Sequence, residues 1–324
     1  MFEDFYGNET AKSLVEIGVK AARKKQDRLP HYLFSGMAGA GKTMLANLTA
    51  EEANAIKVYI NASTIATTQE IVETLVSSFK MYNENEDKDR IVVLVDEAHA
   101  LKGPIEDFLL TAISEDSICV KEAGRIKNFK IEQKASGVNN FLSWIFITNR
   151  CGEVANALRS RLVDVQFIKY TESQKKEIAK SYLIHKGISI HGGEEDSVYA
   201  EIARRSWSAR DVKRFINELH DFVVATDVPL VTTKTTNDYF ELVGIDKNGL
   251  NQLDKAYLNI ILESGNKASL QTISSKLNIG KKDVTEMIEP RLLDLGMIEI
   301  RSGGRSVVDV ETVSTRNNPF SVGE

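Results

Sequence analysis

The clearest chemistry in the chain lies in Gly36-Met37-Ala38-Gly39-Ala40-Gly41-Lys42-Thr43. The spacing is G-x-x-x-x-G-K-S/T, in which glycines let the backbone wrap a phosphate chain and successive N–H groups point at its oxygens. On this reading Gly36, Gly39, Ala40 and Gly41 shape the loop, Lys42 reaches the β- and γ-phosphates, Thr43 ligates Mg²⁺, and Met44 follows them into a helix. A glycine-rich turn could match by chance. The apolar run 32–34 before the loop and Met44-Leu45-Ala46-Asn47-Leu48 after it supply the strand and helix that a nucleotide site needs.

A second constellation is Ile91-Val92-Val93-Leu94-Val95-Asp96-Glu97-Ala98-His99. The β-branched run reads as a parallel strand covered on both faces, and it ends in two carboxylates. Such an ending is common by itself. Downstream of a phosphate loop it places Asp96 to hold the Mg²⁺ shell and Glu97 to take a proton from the attacking water. Another apolar strand, 144–148, ends at Thr148-Asn149, where a polar side chain can meet the γ-phosphate or the water, although both residue types are also ordinary in turns. Arg159 and Arg161 precede a last strand over 163–168 and read either as a solvated edge or as cations for a phosphate.

The elements that must carry these residues alternate. Amphipathic helices are expected over 9–24 and 68–79, and a strand over 57–60. Thr171-Glu172-Ser173-Gln174 is a capping box that starts a helix running to about residue 186, with Gly187 as its stop. Helical period covers 198–224 and then 253–262, 270–277 and 281–293, with strands over 297–300 and 307–310 around Ser302-Gly303-Gly304, a hairpin wing. The chain of 324 residues has length for two or three domains. A net charge of −5 gives no global footprint for nucleic acid, so any DNA contact must come from a local patch. Cys119 and Cys151 show no metal-ligand spacing, which favours a reducing compartment. The start lacks a basic segment followed by an apolar one, and no apolar run spans a membrane, so the expected location is the cytoplasm, with no membrane partner.

With these residues in view, the chain resembles the AAA+ ATPases, and among them the RuvB family of Holliday-junction branch-migration motors. The likeness runs over almost the whole length. Gly36–Thr43 and Asp96-Glu97 are similar to the Walker A and B motifs, Thr148-Asn149-Arg150 to sensor 1, and Leu158-Arg159-Ser160-Arg161 to the arginine-finger box. Phe2-Glu3-Asp4-Phe5-Tyr6-Gly7 resembles the box beside the adenine, which implies a base contact for Tyr6. Tyr170 resembles the aromatic flanking the adenine, and Ala203-Arg204-Arg205-Ser206 with Ala209-Arg210 resembles sensor 2, which puts Arg210 on the γ-phosphate. The resemblance implies that Arg161, with Arg159 second, acts on the site of a neighbouring subunit in a ring, a homo-oligomer expected to be a hexamer.

Gly249-Leu250, Asp254, Tyr257-Leu258, Glu289-Pro290 and Leu295-Gly296 resemble the family's third domain, a winged helix. Lys281 and Lys282 open its recognition-type helix and Arg301 and Arg305 flank the wing turn, the local basic patch for DNA; a winged helix used only for protein contacts is the other reading. Two departures stand out. Met37, Ala38 and Ala40 replace the family's two prolines and leucine in the phosphate loop, which alters stiffness and none of the phosphate-contacting positions. The stretch 118–134 is polar and lysine-rich, with Gly124 at the turn of an expected hairpin, where the family carries an apolar tip for its RuvA partner. That departure sets a RuvA-type partner in doubt and leaves open a DNA-touching hairpin, a different protein partner, or a solvated surface.

The resulting expectation is an α/β protein: an AAA+ parallel-sheet core (1–170), a small α-helical lid (171–244) and a C-terminal winged helix (245–324). ATP and Mg²⁺ are the expected cofactors, and double-stranded or branched DNA the expected object. The expected activity is ATP-driven translocation or branch migration, with an ATP-controlled DNA-binding adaptor or loader as the rival.

Overall fold

The computed structural model describes residues 1–84, 88, 90–115, 117–122, 125–130 and 141–308. It divides into two compact units: residues 1–178 with Ser208–Arg210, and Ala179–Trp207 with the described residues from Asp211 on.

The first unit runs α1 (Glu9–Lys25), β1 (Tyr32–Gly36), α2 (Lys42–Glu52), β2 (Ala55–Asn61), α3 (Thr68–Glu84), β3 (Arg90–Asp96), α4 (Pro104–Glu115), β4 (Ser117–Glu122), β5 (Arg125–Lys130), β6 (Phe141–Thr148), α5 (Asn156–Arg159) and β7 (Val163–Phe167). Five of the strands form a parallel sheet in the order β2-β3-β6-β1-β7. Alternation along β3 explains why its apolar run is unbroken. Val93 and Val95 face a core with Ile71, Leu75, Trp144 and Phe146, while Val92 and Leu94 face another with Phe34, Leu45, Ala46 and Ile147. Because all five strands are parallel, their carboxyl ends share one edge: Asn61 pairs with Asp96, Ser35 with Thr148, and Gly36 with Phe167. Ligands of open α/β sheets bind at this edge. β4 and β5 make the expected antiparallel hairpin, from Ser117↔Lys130 to Glu122↔Arg125, and its turn at Gly124 lies outside the described residues.

α6 (Glu172–His185) starts with the expected capping box, in which Gln174 N donates to Thr171 Oγ1 at 3.2 Å and Thr171 N to Gln174 Oε1 at 3.0 Å. Apart from Ala209 and Arg210, which belong to the first unit, the second unit continues with α7 (Glu195–Arg205), α8 (Ala209–Ala225), α9 (Thr233–Leu242), α10 (Gln252–Glu263) and α11 (Leu270–Leu277). The helical period over 198–224 is broken at Ser206-Trp207-Ser208, and neither α4 nor α9 has a counterpart in the sequence reading. α12 (Lys281–Asp283) passes through a π-helical stretch (Val284–Ile288) into α13 (Glu289–Asp294). Pro290, at the join, has no N–H for the regular ladder, which is where a π turn relieves the mismatch. β8 (Ile298–Arg301) and β9 (Gly304–Val307) form the wing around Ser302-Gly303, and the expected extension to residue 310 reaches outside the described residues.

Inside this unit the lid-like helices and the winged helix are joined by polar contacts. Trp207 Nε1 donates to Asp294 Oδ2 at 2.7 Å, Arg205 Nε to Asp246 O at 3.2 Å, and Arg291 to Asp254 Oδ2 at 3.4 Å and to Gly249 O. Among the described residues no helix is long and apolar enough to cross a membrane.

Candidate functional site

The phosphate loop joins β1 to α2 at the carboxyl edge of the sheet. Gly36, Gly39 and Gly41 have φ of 141°, 75° and 93°, conformations that strain any L side chain. Space forbids a substituent as well: a Cβ on Gly39 would stand 2.7 Å from Ser208 Oγ, and one on Gly41 would run into the Tyr170 hydroxyl and Phe5. The loop is thus clamped by the N-terminal segment, by Tyr170 and by Ser208. Asn8 completes the clamp, donating from Nδ2 to Ala40 O at 3.2 Å and accepting from Ile168 N at 2.7 Å. Tyr6 lies half-buried between the buried Phe5 and Gly7, and Met44 packs on the core that α2 shares with α1.

Lys42 is 8 % exposed, and its Nζ donates to Gly36 O and Met37 O, each at 2.7 Å. Burial pulls its pKa down to about 8; Asp96 and Glu97 oppose this and Arg210 adds to it. That electrostatic signature places Asp96, Glu97 and Arg210 around one lysine. A desolvated cation hydrogen-bonded to two backbone carbonyls, at the N-terminus of α2, suits an anionic ligand such as a phosphate chain. Thr43 is half-buried in the first turn of α2.

Asp96 ends β3 and is itself organised: Oδ2 accepts from the Tyr59 hydroxyl at 2.9 Å and Oδ1 from Glu97 N at 2.9 Å. Glu97 has φ 52°, a left-handed conformation that costs a residue with a side chain of order 1 kcal/mol and clusters at functional sites. Thr148 is 1 % exposed and points at His99 rather than into the open edge, while Asn149 beside it is exposed. Among the described residues no group of three or more His, Cys, Asp or Glu could cage a metal. Mg²⁺, which is commonly held by one or two carboxylates together with substrate phosphates, fits a site offering Asp96 and Thr43.

Arg161 is exposed, donating from Nε to Ser114 Oγ and from NH1 to Ala157 O, both at 2.7 Å; Arg159 is half-buried at the end of α5. Arg210, in contrast, acts on Lys42 of its own chain. In the second unit, Lys281 and Lys282 are exposed, and Arg301 is 75 % exposed beside Glu299 at 2.7 Å. Arg305 differs from the expectation of a groove-facing cation. Its side chain is 15 % exposed and its Nε lies 2.8 Å from Glu289 Oε1, so its charge is engaged inside the winged helix.

Several site residues carry little signal in the sequence. Asn8 and Ser208 act through contacts far apart in the chain. Tyr59, like Lys57, is a solvent-facing residue of an alternating strand. His99 alone had a local signal, an imidazole two residues beyond the candidate base.

Known proteins resemble this chain over most of its length. Residues 1–167 match the model of the Holliday junction DNA helicase RuvB P-loop domain, and residues 247–310 that of the RuvB C-terminal winged helix domain. The Holliday junction branch migration complex subunit RuvB of Campylobacter lari is 29 % identical over 94 % of this chain and 86 % of its own length. The subunit of the same name from Ehrlichia ruminantium strain Gardel is 27 % identical over 98 % and 91 %. Among solved structures, the RuvB Holliday junction branch migration motor of Thermotoga maritima shares the fold, with a TM-score of 0.75 at 23 % identity over 97 % of this chain and 96 % of that one. With the P-loop model covering more than half of its length, the chain belongs to the RuvB family.

Proposed function

We propose that this chain is a RuvB-type ATPase that couples ATP hydrolysis to branch migration or translocation of DNA junctions in recombination and repair. The observation that carries the reading is Lys42: a buried, carbonyl-held cation in a clamped phosphate loop, with Asp96, Glu97 and Arg210 acting on it. The domains are read as 1–170, 171–244 and 245–324. In the mechanism, loop N–H groups and Lys42 grip the triphosphate, and Arg210 adds charge at its end. Thr43 and Asp96 would hold Mg²⁺, which supplies neutralisation of phosphate charge. Glu97 accepts a proton from water as the water oxygen bonds the γ-phosphorus and the bond to the ADP oxygen breaks. Thr148 and Asn149 order the strand end beside that water, and Tyr6 and Tyr170 flank the base.

The outward Arg161, with Arg159 beside it, is assigned to the neighbouring subunit's site in a homo-oligomeric ring, read as a hexamer. An arginine supplied in trans is worth about 10³ to 10⁵ in rate, so assembly would gate hydrolysis. Lys281, Lys282 and Arg301 are assigned to DNA phosphates, with Arg305 bracing the wing that presents Arg301. The polar sequence of the β4–β5 hairpin supports a partner surface other than one for RuvA, and the cytoplasm is the proposed location.

The test is ATPase turnover with and without DNA, run beside migration of a synthetic four-way junction. Glu97→Gln should bind ATP and lose turnover, and full turnover would remove it as the base. Arg161→Ala should regain activity when mixed with subunits inactive only in Lys42. DNA-stimulated turnover with no junction movement would transfer the chain to the adaptor reading.

A further inference from the structure

His99 stands where the two strand ends of the hydrolytic site meet, and it has no role in the mechanism above. Glu97, at the end of β3, turns left-handed and starts a single 3₁₀ turn over Ala98–Ala100, closed by Ala100 N to Glu97 O at 2.8 Å. That turn swings the His99 ring back over the sheet toward β6, the neighbour of β3. There one atom, Nδ1, lies 3.1 Å from Thr148 Oγ1 and 3.4 Å from Glu97 Oε2. The ring is 14 % exposed and Glu97 46 %, so the contact is sheltered on the histidine side and open to water on the other.

The two contacts differ in what they require of Nδ1. Thr148 Oγ1 already accepts from Arg150 N at 3.0 Å, so its own proton is available to donate. With the ring hydrogen on Nε2, Nδ1 accepts that proton and offers the Glu97 carboxylate nothing. With the hydrogen on Nδ1, the ring donates to Glu97, and the Thr148 hydroxyl must turn to another acceptor. One nitrogen cannot serve both partners at full strength.

We propose that His99 is the positioning residue for Glu97. Its Nδ1 exchanges between the Thr148 hydroxyl and the Glu97 carboxylate, so that the base is tethered in one state and free to face water in the other. The strand end carrying Thr148 and Asn149 and the base at the end of β3 thereby report to each other. The inference rests on Glu97 being the base of an ATPase.

The experiment compares His99→Asn, His99→Gln and His99→Ala in the full chain, with the wild type and Glu97→Gln as references. Asparagine places an amide where Nδ1 stands, and glutamine places it where Nε2 stands. Steady-state ATP turnover, affinity for a fluorescent ATP analogue and thermal unfolding are read for each. The expected result is a kcat lowered by roughly 10- to 100-fold in the alanine and glutamine variants, the scale on which loss of an orienting partner acts. Asparagine should keep kcat within about threefold of wild type, with nucleotide affinity held in all three. A Thr148→Val change should cost much less in His99→Ala than in wild type, because the two act as one unit.

Equal kcat for the asparagine and glutamine variants, wild-type kcat for alanine, or additive losses with Thr148→Val would each overturn the proposal. If alanine fails to fold, the asparagine and glutamine pair still decides it. A wild type that binds ATP without hydrolysing it sinks the ATPase reading itself. Loss confined to the His99 variants, with their affinity intact, leaves that reading standing.

Discussion

Lys42 and Arg305 are both cations drawn out of water, and the chain holds them in opposite ways. Lys42 Nζ is bonded to two backbone carbonyls, and burial lowers its pKa. Arg305 faces the Glu289 carboxylate, and that hydrogen bond raises its pKa. The first is a charge whose surroundings disfavour it, so an anionic ligand gains by arriving. The second is already neutralised by a buried partner, and DNA would have to break that pair to use it. A motif position alone does not separate the two cases, since residue type and spacing are alike in kind for both.

The largest effect should come from Lys42. Lys42→Ala should cut turnover by about 10³-fold, the scale of losing one preorganised donor to developing charge, as measured by steady-state hydrolysis. The same lysine sets a pH dependence. Its folded pKa of about 8 lies below its ordinary 10.5, so between those values the unfolded chain binds more protons. Stability from this group therefore rises with pH through that window, and the charged lysine costs the fold stability below it. Nucleotide binding runs the other way, because it needs the charge. Affinity should fall by up to about tenfold per pH unit above about 8, with proton uptake on binding visible when calorimetry is repeated in buffers of different ionisation enthalpy. A flat affinity from pH 7 to 9 would mean that Lys42 is as well paired as Arg305.

The contrast also explains what could be read in the sequence. The phosphate loop, the strand ending in Asp96-Glu97 and the winged helix were legible because each is specified locally, by glycines at fixed offsets, by an unbroken apolar run, or by helix and hairpin periods. The loop's clamp was not legible: Asn8 and Ser208 reach it from positions remote in the chain, and Tyr170, which the resemblance puts beside the adenine, meets the loop at Gly41 through its hydroxyl. Asn8 even resembles an ordinary helix cap, yet it makes no cap hydrogen bond and spends its amide on Ala40 and Ile168. Arg305 failed for the complementary reason. Flanking a wing turn suggests exposure, but in β9 it pairs with Ile300 and turns toward Glu289, 16 residues earlier in sequence. The break between α7 and α8 was hidden because a helical period carries across Ser206-Trp207-Ser208, while tertiary contacts of Trp207 and Ser208 end the helix.

A smaller effect, and one on stability rather than turnover, is expected from Glu289. Glu289→Ala strands Arg305 beside the Tyr257 hydroxyl, which also bonds Glu289 at 3.1 Å. Breaking a buried pair on one side should cost about 3 kcal/mol, read from denaturant unfolding of the full chain. Replacing both partners, as in Glu289→Leu with Arg305→Met, should recover most of that loss, since the cost lies in the stranded charge more than in the missing bond. If the single and double variants are equally unstable, the charge of Arg305 is not neutralised by Glu289 in the way that sets it apart from Lys42.

Arg301 should give the smallest change and the most specific one. It is three-quarters exposed, and its pairing with Glu299 across one residue lies in water, where such pairs contribute little, so Arg301→Ala should alter stability by no more than about 0.5 kcal/mol. Its effect belongs in DNA binding. One phosphate contact fewer should reduce the slope of log affinity against log salt by about 1, uniformly across sequences, in a fluorescence anisotropy titration at several salt concentrations. Arg305→Met paired with Glu289→Leu should leave that slope unchanged, because the residue it removes is spoken for inside the domain. A slope that moves with Arg305 and not with Arg301 would reverse their roles, and would mean that the Glu289 pair opens when the wing meets DNA.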